Sequence, residues 1–375
     1  MIPMLKPLGW EPVEAGVRVV LDPRESIELA DEDGSIAALL TLLAEGRHDL
    51  EGLFHTLSPA FPAVSREDVR DAIEALDELR LLEDSDQTAD LTEDERLRHF
   101  SNLAFLRTFS TLEASAETMV RRVRDSHVLV LGVGGLGSNV LQNLCGLGVG
   151  RLTLVDRDDV EQRNFARQFV YRAQDIGRSK VERAADWVRE FDPRIEVQTI
   201  RADFAGPADV AEVLASTRPD AVSAGVDDPI GIDEWVNAAC VRAGVPYVRG
   251  GMTVTEGVIW SVHPGHSACL ACPPDSDDSS GRVVNSALHQ QGVARINRGA
   301  GPVATLLGSL VSFEILRFLT GFTAPRYAGA MAVLDLAGDC GLTINARSRQ
   351  PDCLVCGSDL QAPEPEAVTA VAAGG

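Results

Sequence analysis

The run VLGVGGLGSN at 130–139 sets Gly132, Gly134 and Gly137 in the spacing Gly-x-Gly-x-x-Gly, after an apolar run and at the opening of a helical pattern. Glycines at that spacing let the backbone approach phosphates, and the helix N-terminus adds a positive partial charge. Asp156 ends the next apolar run, RLTLVD, where a carboxylate can take ribose hydroxyls. These residues alone suit NAD and ATP equally. The following segment separates them: DRDDVEQRNFARQ brings Asn164, Arg167 and Gln168 just beyond Asp156, and Lys180 follows DIGRS. A hydride-transfer enzyme has no use for two fixed cations beside its phosphate turn. An enzyme that expels pyrophosphate does, because negative charge accumulates on the α- and β-phosphates in the transition state.

Lys180 carries extra weight because lysine is nearly absent. Of the 34 Lys and Arg residues only Lys6 and Lys180 are lysine. The two lysines read either as survivors of an arginine-biased composition or as places that need a compact ammonium, which a planar guanidinium fork cannot replace; beside Arg167 and the glycine turn, Lys180 reads as the second.

The cysteines form a second constellation. Cys269 and Cys272 stand two residues apart in CLACPP, and Cys353 and Cys356 repeat the spacing in CLVC. Two such pairs supply the four soft ligands of a closed tetrahedral Zn2+ site, whereas redox chemistry needs only one pair. Cys145 and Cys240 fall in apolar helical patterns and read as small hydrophobes.

Gly-x-Gly-Gly-Leu-Gly, with Gly135 as its third glycine in order of type if Gly137 closes the run, then Asp156, Asn-x-x-Arg-Gln and Gly-x-x-Lys, together resemble the ubiquitin-activating-type adenylating enzymes, over roughly 96–358. The resemblance implies that Gly132, Gly134, Gly135, Gly137, Asp156, Asn164 and Gln168 surround ATP, with Arg167 and Lys180 on the phosphates. It also implies an acidic residue for Mg2+ in an Asp-x-x-Asp-Asn stretch. Here that stretch is AGVDDP: Asp227 matches the second Asp, Ala224 and Asp228 depart from the pattern, and the role of Asp228 stays open. Members that form a thioester or persulfide usually carry a cysteine after the first zinc pair, and residues 273–300 contain none. That resembles the branch that adenylates a microcin-type peptide, which also bears an N-terminal peptide-clasping domain. The family often opens its catalytic domain with Arg-Tyr-x-Arg-Gln; RHFSN keeps Arg98 but has Ser101 at the second arginine, which leaves an arginine acting across a dimer in doubt.

The elements that must position these residues read as an α/β, doubly wound, Rossmann-like domain over 126–360 that contains the zinc cysteines. Before it, residues 1–90 read as a small winged-helix-like α+β domain, with strands near 17–21 and 26–30 and helices near 35–45, 48–57 and 65–82, the last capped by Ser65. Residues 91–125 read as linker and helical entry, and 361–375 as a disordered Pro/Ala/Glu-rich tail.

Composition limits the partners. The net charge is −22, and within 1–90 seven Lys and Arg face twenty-one Asp and Glu. Such a surface repels phosphate backbones, so a nucleic-acid partner is excluded despite the winged-helix pattern. An exposed strand edge could add a peptide instead, or the domain could serve packing or dimerisation. The most apolar late stretch, 301–321, carries Glu314 and Arg317 and reads as a packed helix; no membrane span and no secretory signal are expected, and the location reads as cytoplasmic. The expected function is ATP-dependent adenylylation of the C-terminal carboxylate of a ribosomally made precursor peptide by a homodimer. A ubiquitin-like sulfur-carrier protein is the alternative substrate, a non-catalytic peptide-binding adaptor for a cyclodehydratase is an alternative of another class, and an NAD oxidoreductase ranks below these.

Overall fold

The computed structural model describes residues 1–22, 25–87, 90–275 and 299–357. The chain divides into two compact units, Met1–Val123 and Arg124–Gly375.

The first unit opens with β1 (Pro3–Leu5), β2 (Gly9–Val13), β3 (Gly16–Asp22) and β4 (Glu25–Ala30). Helices α1 (Ser35–Glu45), α2 (Leu50–Leu57) and α3 (Arg66–Glu78) follow, then β5 (Leu82–Asp84). Strands β2, β3 and β4 form an antiparallel sheet with β3 in the middle, and β1 pairs with β5. The alternation in VRVVL turns Val17 and Val19 onto a core shared with Leu39, Leu40, Leu43, Leu53, Val69, Ile73 and Leu76. Ser65 caps α3 through a reciprocal capping box with Asp68. β1 and β5 are three residues each, too short for a periodic signal, and pair only because helices already stand between them.

The helical segment after residue 90 belongs to this unit. It comprises α4 (Glu93–Arg98), α5 (Phe100–Arg107) and the start of α6 (Ala116–Asp125). The Lys6 ammonium, 3% exposed, donates to the carbonyls of Arg80, Thr108 and Ser110. Arg107 pairs with Glu83, and Leu112 N–H donates to the Asp77 carboxylate. These contacts carry the compact unit to Val123, past the boundary at 90 expected from composition.

The second unit is built on β6 (His127–Leu131), α7 (Gly135–Leu147), β7 (Arg151–Val155), α8 (Lys180–Phe191), β8 (Glu196–Ile200), α9 (Pro207–Thr217), β9 (Ala221–Ala224), α10 (Ile232–Ala243) and β10 (Tyr247–Met252). It continues with β11 (Glu256–Val262), α11 (Gly301–Thr320), β12 (Ala330–Asp335) and β13 (Leu342–Ala346). One eight-stranded sheet runs in the order β13-β12-β11-β10-β9-β6-β7-β8. The five strands from β10 to β8 are parallel, and β11, β12 and β13 extend the sheet antiparallel. β6 is buried at every position, as expected of a central parallel strand covered on both faces. The chain order reverses at β6, between β7 and β9, which opens a crevice at the carboxyl ends of these strands. This is the doubly wound fold expected from the sequence, with an antiparallel extension that the sequence pattern did not announce.

Among the described residues one helix, α11, is long and apolar enough to cross a membrane, a property the sequence reading did not assign to it. Half of it is buried within the protein, however. Gly308 sits against Asn139 of α7, where a Cβ would lie 2.8 Å from the Asn139 Cβ. Glu314 is fully buried, accepting from Ser261 Oγ, the Arg326 and Tyr327 N–H groups and Arg317. Cys145 and Cys240 are buried, and burial pushes the Cys240 thiol up. The 361–375 tail and most of the 273–300 segment lie outside the described residues.

Candidate functional site

The crevice at the switch point holds the glycine turn. Gly132 follows β6 at φ 84°, in the left-handed region that favours glycine, and a Cβ there would lie 2.9 Å from the Gly225 carbonyl. A Cβ on Gly137 would lie 1.7 Å from the Gly132 carbonyl, so the first turn of α7 rests directly on the turn below it. Gly134 is the N-cap and brings no side-chain cap bond. The first-turn N–H groups are therefore left for an anion. Gly135 has a different duty: its missing Cβ makes room for Arg167, whose Nε would be 2.8 Å from it.

Asp156 follows β7 and holds the turn as well as facing it. Its Oδ2 accepts from Val133 N–H at 2.9 Å and its Oδ1 from Asp158 N–H at 2.9 Å. Each oxygen keeps acceptor capacity for a ribose hydroxyl. Asp158 in turn accepts from Lys180 Nζ at 2.7 Å, and its carbonyl from Lys180 N–H at 3.0 Å. Lys180, 5% exposed, thus stands at the first position of α8, tied through Asp158 and Asp156 to the glycine turn. Burial opposes the charge of Asp158, but the Lys180 hydrogen bond and charge outweigh it and hold the carboxyl below its ordinary range.

The 3-10 turn Gln162–Ala166 presents the remaining residues. Asn164 is buried and its Oδ1 accepts from Glu161 N–H at 2.8 Å, so it shapes the loop. Arg167 lies across Gly135; burial lowers its pKa, the nearby Arg163 adds to that, and the charge of Asp227 acts the other way. Gln168 is buried beside Gly134, and its Oε1 has no partner among the described residues.

Asp227 and Asp228 lie on the loop after β9, whose Gly225 N–H donates to the Leu131 carbonyl at 2.7 Å. The Asp227 side chain is 76% exposed, and Oδ1 accepts from Arg249 Nη2 at 2.9 Å. An exposed carboxylate with one oxygen held by Arg249 suits Mg2+, which binds through one or two carboxylates plus substrate phosphates. Asp228 is taken up elsewhere: it accepts from Arg157, which also pairs with Asp203.

Three residues at the site escaped the sequence reading. Asn139 Nδ2 donates to the carbonyls of Gly135 and Arg167, and its Oδ1 accepts from Thr305. Tyr171 donates to the Val133 carbonyl at 2.8 Å. Arg249 grips Asp227. A polar residue inside an apolar helical face was the one signal for Asn139; Tyr171 and Arg249 gave none.

The four cysteines converge. The Cys269 and Cys353 sulfurs are 3.8 Å apart, those of Cys272 and Cys356 3.4 Å, and all four lie within 4.8 Å of one another. Four thiolates at Zn–S bonds of about 2.3 Å place sulfurs about 3.8 Å apart, so the donor set fits a tetrahedral soft-ligand ion. Arginines fasten both knuckles: Arg347 donates to the Cys272 carbonyl, and Arg349 to those of Cys356 and Gly265. Leu270 N–H, in the first knuckle, donates to Asn237 of α10.

Comparison with known proteins places this geometry among relatives. A family model described as the ThiF family matches residues 106–355. The chain is 34% identical over 236 residues to the adenylyltransferase and sulfurtransferase MOCS3 of Sus scrofa, covering 63% of this chain and 49% of that protein. It is 29% identical over 272 residues to the molybdopterin-synthase adenylyltransferase of Escherichia coli K12, covering 72% of this chain and 99% of that protein. The chain spans about half the length of the MOCS3 relatives it matches. Among solved structures, E. coli MccB with AMPCPP and MccA superposes with a TM-score of 0.74 at 20% identity, covering 95% of this chain and all of that one. The PaaA crystal structure gives 0.65 at 19%, covering 92% and 99%. At these identities the likeness shows the fold.

Proposed function

The chain belongs to the ThiF family, and from that premise we propose that it catalyses ATP-dependent adenylylation of the C-terminal carboxylate of a precursor peptide. The observation that carries the reading is the convergence of Arg167 across Gly135, Lys180 tied to the same turn, and Asp227 on the adjoining loop. A carboxylate oxygen of the peptide attacks the α-phosphorus of ATP. The bond from that phosphorus to its bridging oxygen breaks, and pyrophosphate leaves with the electron pair. The carboxylate is already ionised at neutral pH, so no general base is required. The chain's residues position the nucleotide and neutralise charge. The first-turn N–H groups of α7 receive phosphate, Arg167 and Lys180 meet the charge that develops on the α- and β-phosphates, and Asp156 orients the ribose. Asp227 would hold Mg2+, which would supply charge neutralisation on the phosphates. Cys269, Cys272, Cys353 and Cys356 would hold Zn2+ in a structural role, since four thiolates complete a tetrahedral set. The reduced thiols this requires fit a cytoplasmic location.

The peptide is the favoured substrate because the structural likeness to MccB, a protein solved with the peptide MccA, extends over both units of this chain. The sheet β2-β3-β4 also leaves two outer strands, either of which can pair with an added peptide strand. The second reading, activation of a sulfur-carrier protein, is favoured by the sequence identity to MOCS3 and the molybdopterin-synthase adenylyltransferase. A homodimer belongs to the same proposal; Leu306 and Phe313 leave an exposed apolar face on α11 that suits it. ATP–pyrophosphate exchange tests the function. Exchange should require a peptide with a free C-terminal carboxylate and vanish with its amide. Exchange supported only by a carrier protein ending in Gly-Gly would select the second reading, and none with either would remove adenylylation.

A further inference from the structure

Arg249 is the register partner of Ala224, the last residue of β9, and so reaches from β10 beneath the loop that carries Asp227. Its side chain is 8% exposed, and all three guanidinium nitrogens are engaged. Nε donates to Asp233 Oδ1 at 2.8 Å, Nη2 to Asp227 Oδ1 at 2.9 Å, and Nη1 to the carbonyls of Gly250 at 2.8 Å and Ala224 at 3.3 Å. The indole of Trp260 lies 5.8 Å away on one face. A planar fork held on every side has one orientation, and it imposes that orientation on whatever it grips.

The two carboxylates it grips differ. Asp233, at the start of α10, is the partner a buried guanidinium needs to compensate its charge. Asp227 is largely exposed, and an ion pair to so exposed a carboxylate adds little stability. Its consequence is geometric: Oδ1 of Asp227 is pinned to Arg249 on a side chain that stays 76% exposed, which leaves Oδ2 to meet a cation. One cation shared between two carboxylates also leaves a single net negative charge there. That is a weak metal site alone and an adequate one for a metal already carried on phosphates.

We infer that Arg249 is a positioning residue for metal-bound nucleotide: it fixes Asp227 so that Oδ2 alone meets the divalent cation that ATP brings. The inference rests on Asp227 being the metal carboxylate, as proposed above, and the test separates the two statements. The full-length protein is compared with Arg249→Gln, Arg249→Lys and Asp227→Asn. The probe is Mn2+, titrated by electron paramagnetic resonance into the complex with α,β-methylene ATP; affinity for the analogue without metal is measured by calorimetry. Metal-free affinity is the reference for each variant: Arg167 and Lys180 remain, so Mn2+ affinity should change by more than metal-free affinity does. Mn2+ affinity should fall about ten- to a hundredfold in Arg249→Gln, the usual cost of losing an outer-shell partner, and at least as far in Asp227→Asn, which removes the ligand itself. Arg249→Lys, which keeps the charge and loses the fork, should fall between these and the wild type. Wild-type Mn2+ affinity in Arg249→Gln alongside a loss in Asp227→Asn would overturn the role of Arg249 and leave Asp227 standing. Wild-type affinity in Asp227→Asn would remove the premise, and the inference with it. If circular dichroism shows Arg249→Gln unfolded, Arg249→Lys decides: unchanged Mn2+ affinity in it overturns the inference.

Discussion

Both lysines of this chain are buried, and each uses the ammonium for something a guanidinium fork does poorly. Lys180 reaches past a buried helix start to a single carboxylate oxygen on Asp158, and Lys6 divides its donors among three carbonyls. Replacing Lys180 or Arg167 with alanine should lower pyrophosphate exchange about a hundredfold, near 3 kcal/mol, the scale of losing one preorganised donor to a developing oxyanion. Lys180→Arg should not restore it, since a planar fork does not replace a compact buried ammonium that meets a single oxygen of Asp158. Steady-state exchange assays on the three variants check this, and a fully active Lys180→Ala would refute the role. Lys6 predicts a pH effect instead. Burial lowers its pKa to about 8, although Glu83 pulls it upward. An unfolded lysine titrates near 10.4, so between about pH 8 and about pH 10 the unfolded chain binds a proton that the folded chain does not. Stability contributed by this group therefore rises with pH through that window. Denaturant melts at pH 8 and pH 10 should show Lys6→Met lacking that part of the wild-type rise.

At the scale of elements, the two turns that matter are built by opposite means. The phosphate turn is made from absences: Gly137 permits helix α7 to sit on the turn, and Gly135 permits Arg167 to cross it. The cysteine knuckles are made from additions. The first follows β11, the second follows β13, and two arginines fasten their carbonyls. Four thiolates close one tetrahedron, so purified protein should carry about one zinc per chain by elemental analysis. Chelation should lower its melting temperature, and Cys353→Ser should reduce the zinc content. Acid should release the metal, because ligation needs thiolates. Burial raises the Cys353 thiol, but the Cys356 and Val355 backbone N–H groups bring it to about 7 without metal, so this ligand is among the readiest to ionise. Zinc-free protein with a Cys269–Cys272 disulfide would overturn the centre.

For the whole molecule, the division of labour between the two units is the open property that substrate choice decides. If a peptide adds to the sheet of the first unit, hydrogen exchange on the full-length protein should show protection confined to one outer strand, β2 or β4, when the precursor binds. That protection should persist at high salt, because backbone pairing and apolar anchors are screened less than charge contacts. Protection confined to residues beyond Arg124 would move the substrate to a carrier protein. Deleting residues 1–90 is a poor substitute for this measurement. The cut would strand Arg107, Leu112 and the carbonyls of Thr108 and Ser110, which meet Glu83, Asp77 and Lys6.

The sequence by itself determined the chemistry that local spacing encodes. The glycines stand where the backbone closes on itself, the cations proposed for phosphate follow close after them in the sequence, and the four cysteines arrive as two Cys-x-x-Cys pairs. The Ser65 cap was legible because its partner Asp68 lies three residues on, and VRVVL because strand alternation is written in consecutive residues whatever they pack on. What the tertiary structure alone decided are the contacts between residues far apart in the chain. Arg249 reaches Asp227 across 22 positions, Lys6 reaches Ser110 across 104, and Asn139 reaches Thr305 across 166. No periodicity carries such pairings, because packing of the strands and helices, rather than propensity, brings them together. Asp156 shows both halves. Its place at the end of a strand was evident from the pattern, but that its two oxygens already hold Val133 and Asp158 emerged only when β6 and β7 lay side by side.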